Sequence, residues 1–302
     1  MFKFKKNYFR ADHLKVTHRD QYKRFTRSKA GNFFYSFFLI AFGLFSILPM
    51  IYSILTSFKP LDELLVYPPR FFVIRPTIEN YIVIPSLLDN LAVPLSRYIF
   101  NSVFISVVTT ILHVVVASMG AFVLSKSNIY GKKVIFAIIQ FSLLYNSYTL
   151  AIPRYLIYSY LGMIDTYWVY ILPMIPSSMG VFLMKQYMES SIPDALLEAA
   201  RIDGAGAFQM FFKIVMPITK PAWMTLFLLS FQSQWSFTPG GTIFSEELKT
   251  LPYVLSSISA GGIARSGATM AATVLMMLPP IIIYFITQSN VMETMSTAGM
   301  KG

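Results

Sequence analysis

Residues able to make or break bonds are few in this chain. Cysteine is absent and only three histidines occur, His13, His18 and His113. Disulfides and thiolate chemistry are thereby excluded, and no H-E-x-x-H or comparable spacing is present to hold a catalytic metal. The paired carboxylates Asp62-Glu63 and Glu246-Glu247 are adjacent in sequence, the spacing of solvated loop charges rather than of a general acid facing a general base. No G-x-x-x-x-G-K-[ST] phosphate loop occurs, so any ATP that powers this protein is hydrolysed on another chain. The polar stretch that remains, Lys185 to Pro221, has the spacing of a docking device. Ser191-Ile-Pro-Asp194 has the form of a capping box, and Pro193 suits a first helical turn, where a backbone N–H has no partner anyway. One helix is expected from Ala195 to about Asp203, stopped by Gly204, with Gly206 adding freedom. A second runs through Phe208, Phe211, Phe212 and Ile214 until Pro217 and Pro221. Small residues at Ala195, Ala199, Ala200, Ala205 and Ala207 leave room for a partner surface.

The elements that must position this hairpin are apolar. Of 302 residues, 55% are hydrophobic and 13% charged, whereas charged residues make up about a quarter of a soluble domain. A helix crossing about 30 Å of hydrocarbon needs roughly 20 mostly apolar residues. Six stretches qualify, at about 33–57, 98–124, 134–152, 167–184, 222–238 and 268–289, and none has Asp, Glu, Lys or Arg inside it. Ten lysines and arginines precede Gly31, and the apolar run Phe33 to Phe58 exceeds a signal core. The first run is therefore expected to stay as a helix.

With both termini cytoplasmic, the inner segments 1–32, 125–133, 185–221 and 290–302 hold 18 of the 25 basic residues, while acidic residues divide evenly between the two sides. The net charge of +11 is thus all on the inner side, as the positive-inside rule expects. The basic excess is topological, and no nucleic acid is expected as a partner. The expected organisation is a basic arm at 1–32, a six-helix transmembrane domain at 33–289 with a cytoplasmic loop at 185–221, and a cytoplasmic tail at 290–302. The arm either touches anionic lipid head groups, at about 1 kcal/mol per well-placed charge, or is a solvated tail. Outer loops Lys59–Arg97, rich in proline, and Pro239–Gly267, rich in glycine, either meet a partner or cap the bundle.

The run Glu198-Ala199-Ala200, then Gly204 three residues on, then Ile214-Val-Met-Pro217 after nine more, resembles the E-A-A-x-x-x-G-x9-I-x-L-P loop of binding-protein-dependent ABC importer permeases. The fuller strings EAARIDGAG and KIVMPITKP are similar to the carbohydrate-importer branch, which includes the second permease of maltose transporters. Asn101-Ser102, Leu161 to Trp168 and the terminal Gly299 to Gly302 extend the resemblance over residues 95–302. Met216 stands where the family usually has Leu, and Trp235-Ser236-Phe237 where it often has W-N-x-F.

The resemblance implies an all-α integral membrane protein of the type I importer fold in a bacterial plasma membrane. It also implies a homologous sister permease, two ATPase subunits that carry ATP and Mg, and an extracellular solute-binding protein. This chain holds no cofactor and no catalytic residue. Glu198, Ala199, Ala200, Asp203, Gly204, Ile214 and Pro217 are then the ATPase-coupling residues. Asn101, Asn146, Gln232, Gln234 and Trp235, polar groups in or near spans, face the substrate pathway or serve ordinary interfacial anchoring. The cargo implied is an oligosaccharide. A non-sugar solute, or a secondary carrier, is the alternative, although the spans offer only His113 as an ionisable coupling group.

Overall fold

Hydrocarbon offers no water to a backbone N–H or C=O, so apolar runs must satisfy those groups internally, and a helix does so within one segment. The structure, a computed structural model describing residues 29–88, 93–144 and 149–299, follows that rule. Among the described residues all regular structure is helical. The principal helices are α1 (Lys29–Ser57), α2 (Glu79–Leu87), α3 (Leu95–Lys126), α4 (Lys132–Ser142), α5 (Ala151–Tyr160), α6 (Ser178–Ser191), α7 (Asp194–Ile202), α8 (Ala207–Ile218), α9 (Lys220–Trp235), α10 (Leu251–Ser259) and α11 (Ser266–Gly299).

Among the described residues four stretches are long and apolar enough to cross a bilayer: Ala30–Ser57, Leu95–Lys126, Trp168–Ser191 and Gly262–Thr294. The pair α8 and α9, bent by 82°, makes a fifth if counted as one span. The expected six are therefore met as four or five. At 134–152 the chain forms two short helices, α4 and α5, on either side of residues 145–148, which lie outside the described residues. The expected tail at 290–302 begins as a direct continuation of α11, which runs unbroken to Gly299. No glycine or proline lies between Pro280 and Gly299 to stop it. Residues 1–28, most of the basic arm, and 300–302 are not described.

The chain divides into two units at Ile51. The first contains most of α1, whose run of Phe33, Phe34, Phe37, Phe38, Phe42 and Phe45 is exposed, as suits a surface solvated by lipid. The second, from Tyr52 onward, has two apolar cores strung along α3 and α9. One joins Ala117, Ala121 and Phe122 of α3 to Met184 and Met188 of α6, Leu197 and Ala200 of α7, Phe211 and Val215 of α8, and Leu226 of α9. The other joins Tyr98 of α3, Phe231 and Trp235 of α9, Val254 and Ile258 of α10, and Ala271 of α11.

Helices α3 and α6 approach closely because Gly180 lacks a side chain. A Cβ there would lie 2.7 Å from His113 Nε2 and 3.1 Å from Ala117 Cβ. Small residues at such crossings are the usual means of bringing backbones together in a membrane.

Candidate functional site

The hairpin expected between the fourth and fifth spans is present, but it begins differently. Helix α6 continues through Ser191, so Ser191 is helical and cannot act as the N-cap of the next helix. Pro193, extended, takes that position, and α7 starts at Asp194 with no side-chain cap. The carboxylate of Asp194 is claimed instead by Lys126 Nζ at 2.8 Å, the same ammonium that donates to the Ile192 carbonyl at 2.6 Å. The Lys126 ammonium holds the Asp194 carboxyl below the usual carboxylate range. Lys126, the last residue of α3, is itself buried at 6% side-chain exposure.

Gly204 stops α7 as expected. It adopts φ +82°, its N–H donates to the Arg201 carbonyl at 3.0 Å, and the Ala205 N–H reaches back to Ala200 at 2.9 Å. These two bonds satisfy carbonyls that the helix end leaves open, in the paired form that glycine at this position permits. Gly206 then begins α8 in an extended conformation. The expected stop at Pro217 is not seen, since α8 passes through it to Ile218. A widened turn over Phe211–Val215 precedes the proline, in the stretch whose carbonyls its ring would otherwise strike. The chain turns by 82° at Thr219, whose hydroxyl and N–H both donate to the Val215 carbonyl at 2.9 Å. Trp223 Nε1 ties the corner to the Met216 carbonyl at 3.0 Å.

The seven residues expected to couple separate into two sets. Ala200 is buried in the core with Leu197, and Ile214 packs partly against that core. Glu198, Ala199, Asp203, Gly204 and Pro217 are exposed. One face of α7 is thus fastened to the bundle while the other is presented outward. On that outward side Ile202 is 86% and Phe208 70% exposed. Neither was singled out as a contact residue from the sequence; for Ile202 the signal lay in its falling out of register with Leu197 and Ala200 on α7. The outward surface is apolar with an acidic edge, and its chemistry is suited to association rather than reaction.

The residues expected on the pathway are dispersed. Gln234 is buried beside a cleft between α3, α6 and α9 that His113, Ser177, Ser230 and Ser233 also line. Its Nε2 donates to the Tyr170 carbonyl at 3.3 Å, and its Oε1 has no partner among the described residues. Gln232 is exposed. Trp235 points into the second core, stacked on Phe231 at 5.7 Å with Nε1 donating to Met276. Asn146 lies outside the described residues. His113 is a packing residue: its Nδ1 lies 3.1 Å from the carbonyls of Met174 and Ile175, which the helix break before α6 leaves unclaimed.

Asn101 is fully enclosed and fully engaged. Its Nδ2 donates to the carbonyls of Glu247 and Lys249 at 2.7 and 2.8 Å, and its Oδ1 accepts from the Tyr167 hydroxyl at 2.9 Å. Ser102 Oγ accepts from Leu251 N at 2.7 Å and Tyr98 donates to Glu246 at 2.6 Å. This end of α3 therefore grips the segment 245–251. A residue the sequence reading did not single out, Asp165, completes the grip. Its Oδ1 accepts from Phe244 N and Ser245 N at 2.9 and 2.8 Å, and the Ser245 hydroxyl donates to its other oxygen. Those bonds, led by the Ser245 hydroxyl, hold its carboxyl below the usual range. One member of each acidic pair is engaged rather than a free loop charge, Glu63 in the first and Glu246 in the second, where Tyr98 and Lys249 donate to it. Glu63 is buried and accepts from Ile74 N and Arg75 N at 3.1 and 2.7 Å.

Apolar spanning helices around a half-buried hairpin define a membrane permease subunit. Comparison with known proteins agrees. The family model "Binding-protein-dependent transport system inner membrane component" matches residues 113–296, and the chain belongs to that family. An inner membrane ABC transporter permease protein of Escherichia coli is 27% identical over 268 residues, 87% of this chain and 94% of its own length. An arabinooligosaccharides transport system permease protein of Bacillus subtilis is 28% identical over 269 residues, 88% and 94% of the two chains. Among solved structures, a bacterial ABC transporter involved in import of the acidic polysaccharide alginate matches with TM-score 0.73 and 25% identity, over 87% of this chain and 98% of that one. The chain is a multi-pass permease subunit of an ABC importer.

Proposed function

We propose that the cargo is a carbohydrate, an oligosaccharide, and that the chain works as one of two homologous permeases with six spans and both termini cytoplasmic. Two separate ATPase subunits supply ATP and Mg, a solute-binding protein delivers cargo from outside, and the α7–α8 hairpin seats on one ATPase. The observation that carries this reading is the two-faced hairpin. Leu197, Ala200, Phe211 and Val215 fix it in the bundle core, while Glu198, Ala199, Ile202 and Asp203 face outward. A rigidly anchored helix passes a displacement on to the bundle, whereas a loose loop would absorb it. The carbohydrate assignment draws on the permeases of arabinooligosaccharide and alginate importers that this chain is similar to.

Gly204→Pro and Glu198→Lys test the coupling. Neither change touches a span, so both variants should insert and be recovered from membranes at normal levels while ATP-dependent uptake falls about tenfold or more, corresponding to at least about 1.4 kcal/mol of coupling. Normal uptake by both variants would overturn the assignment.

A further inference from the structure

Beyond the cleft at Gln234, the second unit has a mainly apolar cleft carrying a few polar groups, between α5 and the segment that follows α9. Arg154, Tyr155 and Tyr158 of α5 form one wall, and Phe237, Thr238 and Thr242 line the other. Arg154 is half-buried and makes no ion pair with a described residue. The Tyr158 hydroxyl is buried without a hydrogen-bond partner among the described residues. Thr238 is exposed, and Tyr155 is 42% exposed.

The two walls are fastened together. Met163 N donates to the Tyr158 carbonyl and Asp165 N to the Thr242 carbonyl, both at 2.9 Å, and Ile243 packs on Tyr158, Met163 and Val169. A cleft held this way needs little ordering when a ligand enters, which favours affinity.

We propose that this cleft is a subsite for an anionic saccharide. A uronate unit fits its chemistry: the planar guanidinium of Arg154 pairs with the carboxylate through two parallel hydrogen bonds. The Tyr155 ring offers an apolar face to the sugar ring, and the Tyr158 and Thr238 hydroxyls meet its oxygens. A neutral sugar would leave Arg154 partly desolvated with no counter-charge, so the cleft discriminates by charge. This inference rests on the carbohydrate-importer reading and narrows it to acidic sugars.

The test uses the complete transporter, copurified with its partner subunits, in nanodiscs of zwitterionic phosphatidylcholine. Calorimetric titration with trigalacturonate and with neutral galactotriose should show about tenfold tighter binding of the acidic trisaccharide. Arg154→Gln should abolish that preference, Arg154→Lys should retain part of it, and Arg265→Gln, an exposed arginine outside the cleft, should leave it intact. Equal binding of the two sugars, or a preference that survives Arg154→Gln, overturns the proposal. So does a preference lost when the discs contain anionic phosphatidylglycerol, because the cleft would then hold a lipid head group. ATP hydrolysis stimulated by the binding protein, measured on the same preparations, reports on the permease reading separately. A complex that passes that assay and shows no charge preference eliminates the subsite alone.

Discussion

The two ends of α3 hold their neighbouring loops by different forces. At the Lys126 end the α7–α8 hairpin is joined to the bundle by apolar burial, with Leu197, Ala200, Met210, Phe211 and Val215 in one core with α3, α6 and α9. At the Leu95 end the segment 242–251 is held by directed hydrogen bonds to Tyr98, Asn101, Ser102 and Asp165. Burial is non-directional and tolerates small sliding of a helix as a body, whereas a set of hydrogen bonds fixes one register and is lost in steps. The hairpin is therefore built to move with the bundle, and the outer segment to stay latched in one place upon it.

The largest effect should come from breaking the apolar end. Phe211 is 3% exposed and touches Phe122 of α3 with ring centroids 5.8 Å apart. Phe211→Ala should cost about 3–5 kcal/mol through lost burial and the cavity left behind, measured as thermal melting of the solubilised protein. Limited proteolysis should then cut within 192–221 while 242–251 stays protected. Cleavage of both segments would show that the two ends are not held independently.

The complementary change is Asn101→Leu, which leaves the Lys249 carbonyl without its partner and the Tyr167 hydroxyl without its acceptor, while Arg97 still donates to the Tyr167 hydroxyl and the Glu247 carbonyl. Buried groups left unsatisfied cost about 1–3 kcal/mol. Proteolysis should now favour 242–251, and ATP hydrolysis coupled through the hairpin should persist. Loss of coupling in this variant would mean that the outer latch also sets the position of α7.

These particulars show which features were legible in the sequence. The hairpin was, because glycine at 204 has a specific geometric use; the burial of Ala200 and the partial burial of Ile214, both expected among the coupling residues, were not. Four of the six expected spans were legible in place, while α4 and α5, and the bend between α8 and α9, show that composition alone does not make one straight crossing. What was not legible depends on partners distant in sequence. Ser191 had the pattern of a cap, but nothing local says that α6 would run through it, or that Lys126 would take the carboxylate of Asp194. Asn101 had the type and position of a pathway residue, and only the folding of 247–249 onto α3 shows that its amide is fully engaged. Asp165, at φ +58° the one described non-glycine residue with positive φ, is a comparable case. Its tolerance of that conformation is local, while its acceptor role depends on residues about 80 positions away.

The smallest effect sharpens the comparison most, because it concerns the directed contact at the apolar end. Asp194 is exposed and pairs with Lys126, and Lys132 adds a weaker attraction. In Asp194→Asn, Lys126 keeps its bond to the Ile192 carbonyl and the core beneath is untouched, so melting at neutral pH should shift only slightly. The pH dependence carries the information. Because the folded carboxyl titrates below its unfolded value, near 3.9 for a free aspartate, the pair contributes fully above that value and is lost as pH falls through the folded one. The difference in melting temperature between wild type and Asp194→Asn should therefore be constant from neutral pH to about 5 and shrink toward zero below about 4. A difference that persists unchanged into acid would mean that the residue acts through its shape at the start of α7 and not through its charge, leaving burial alone to hold the hairpin.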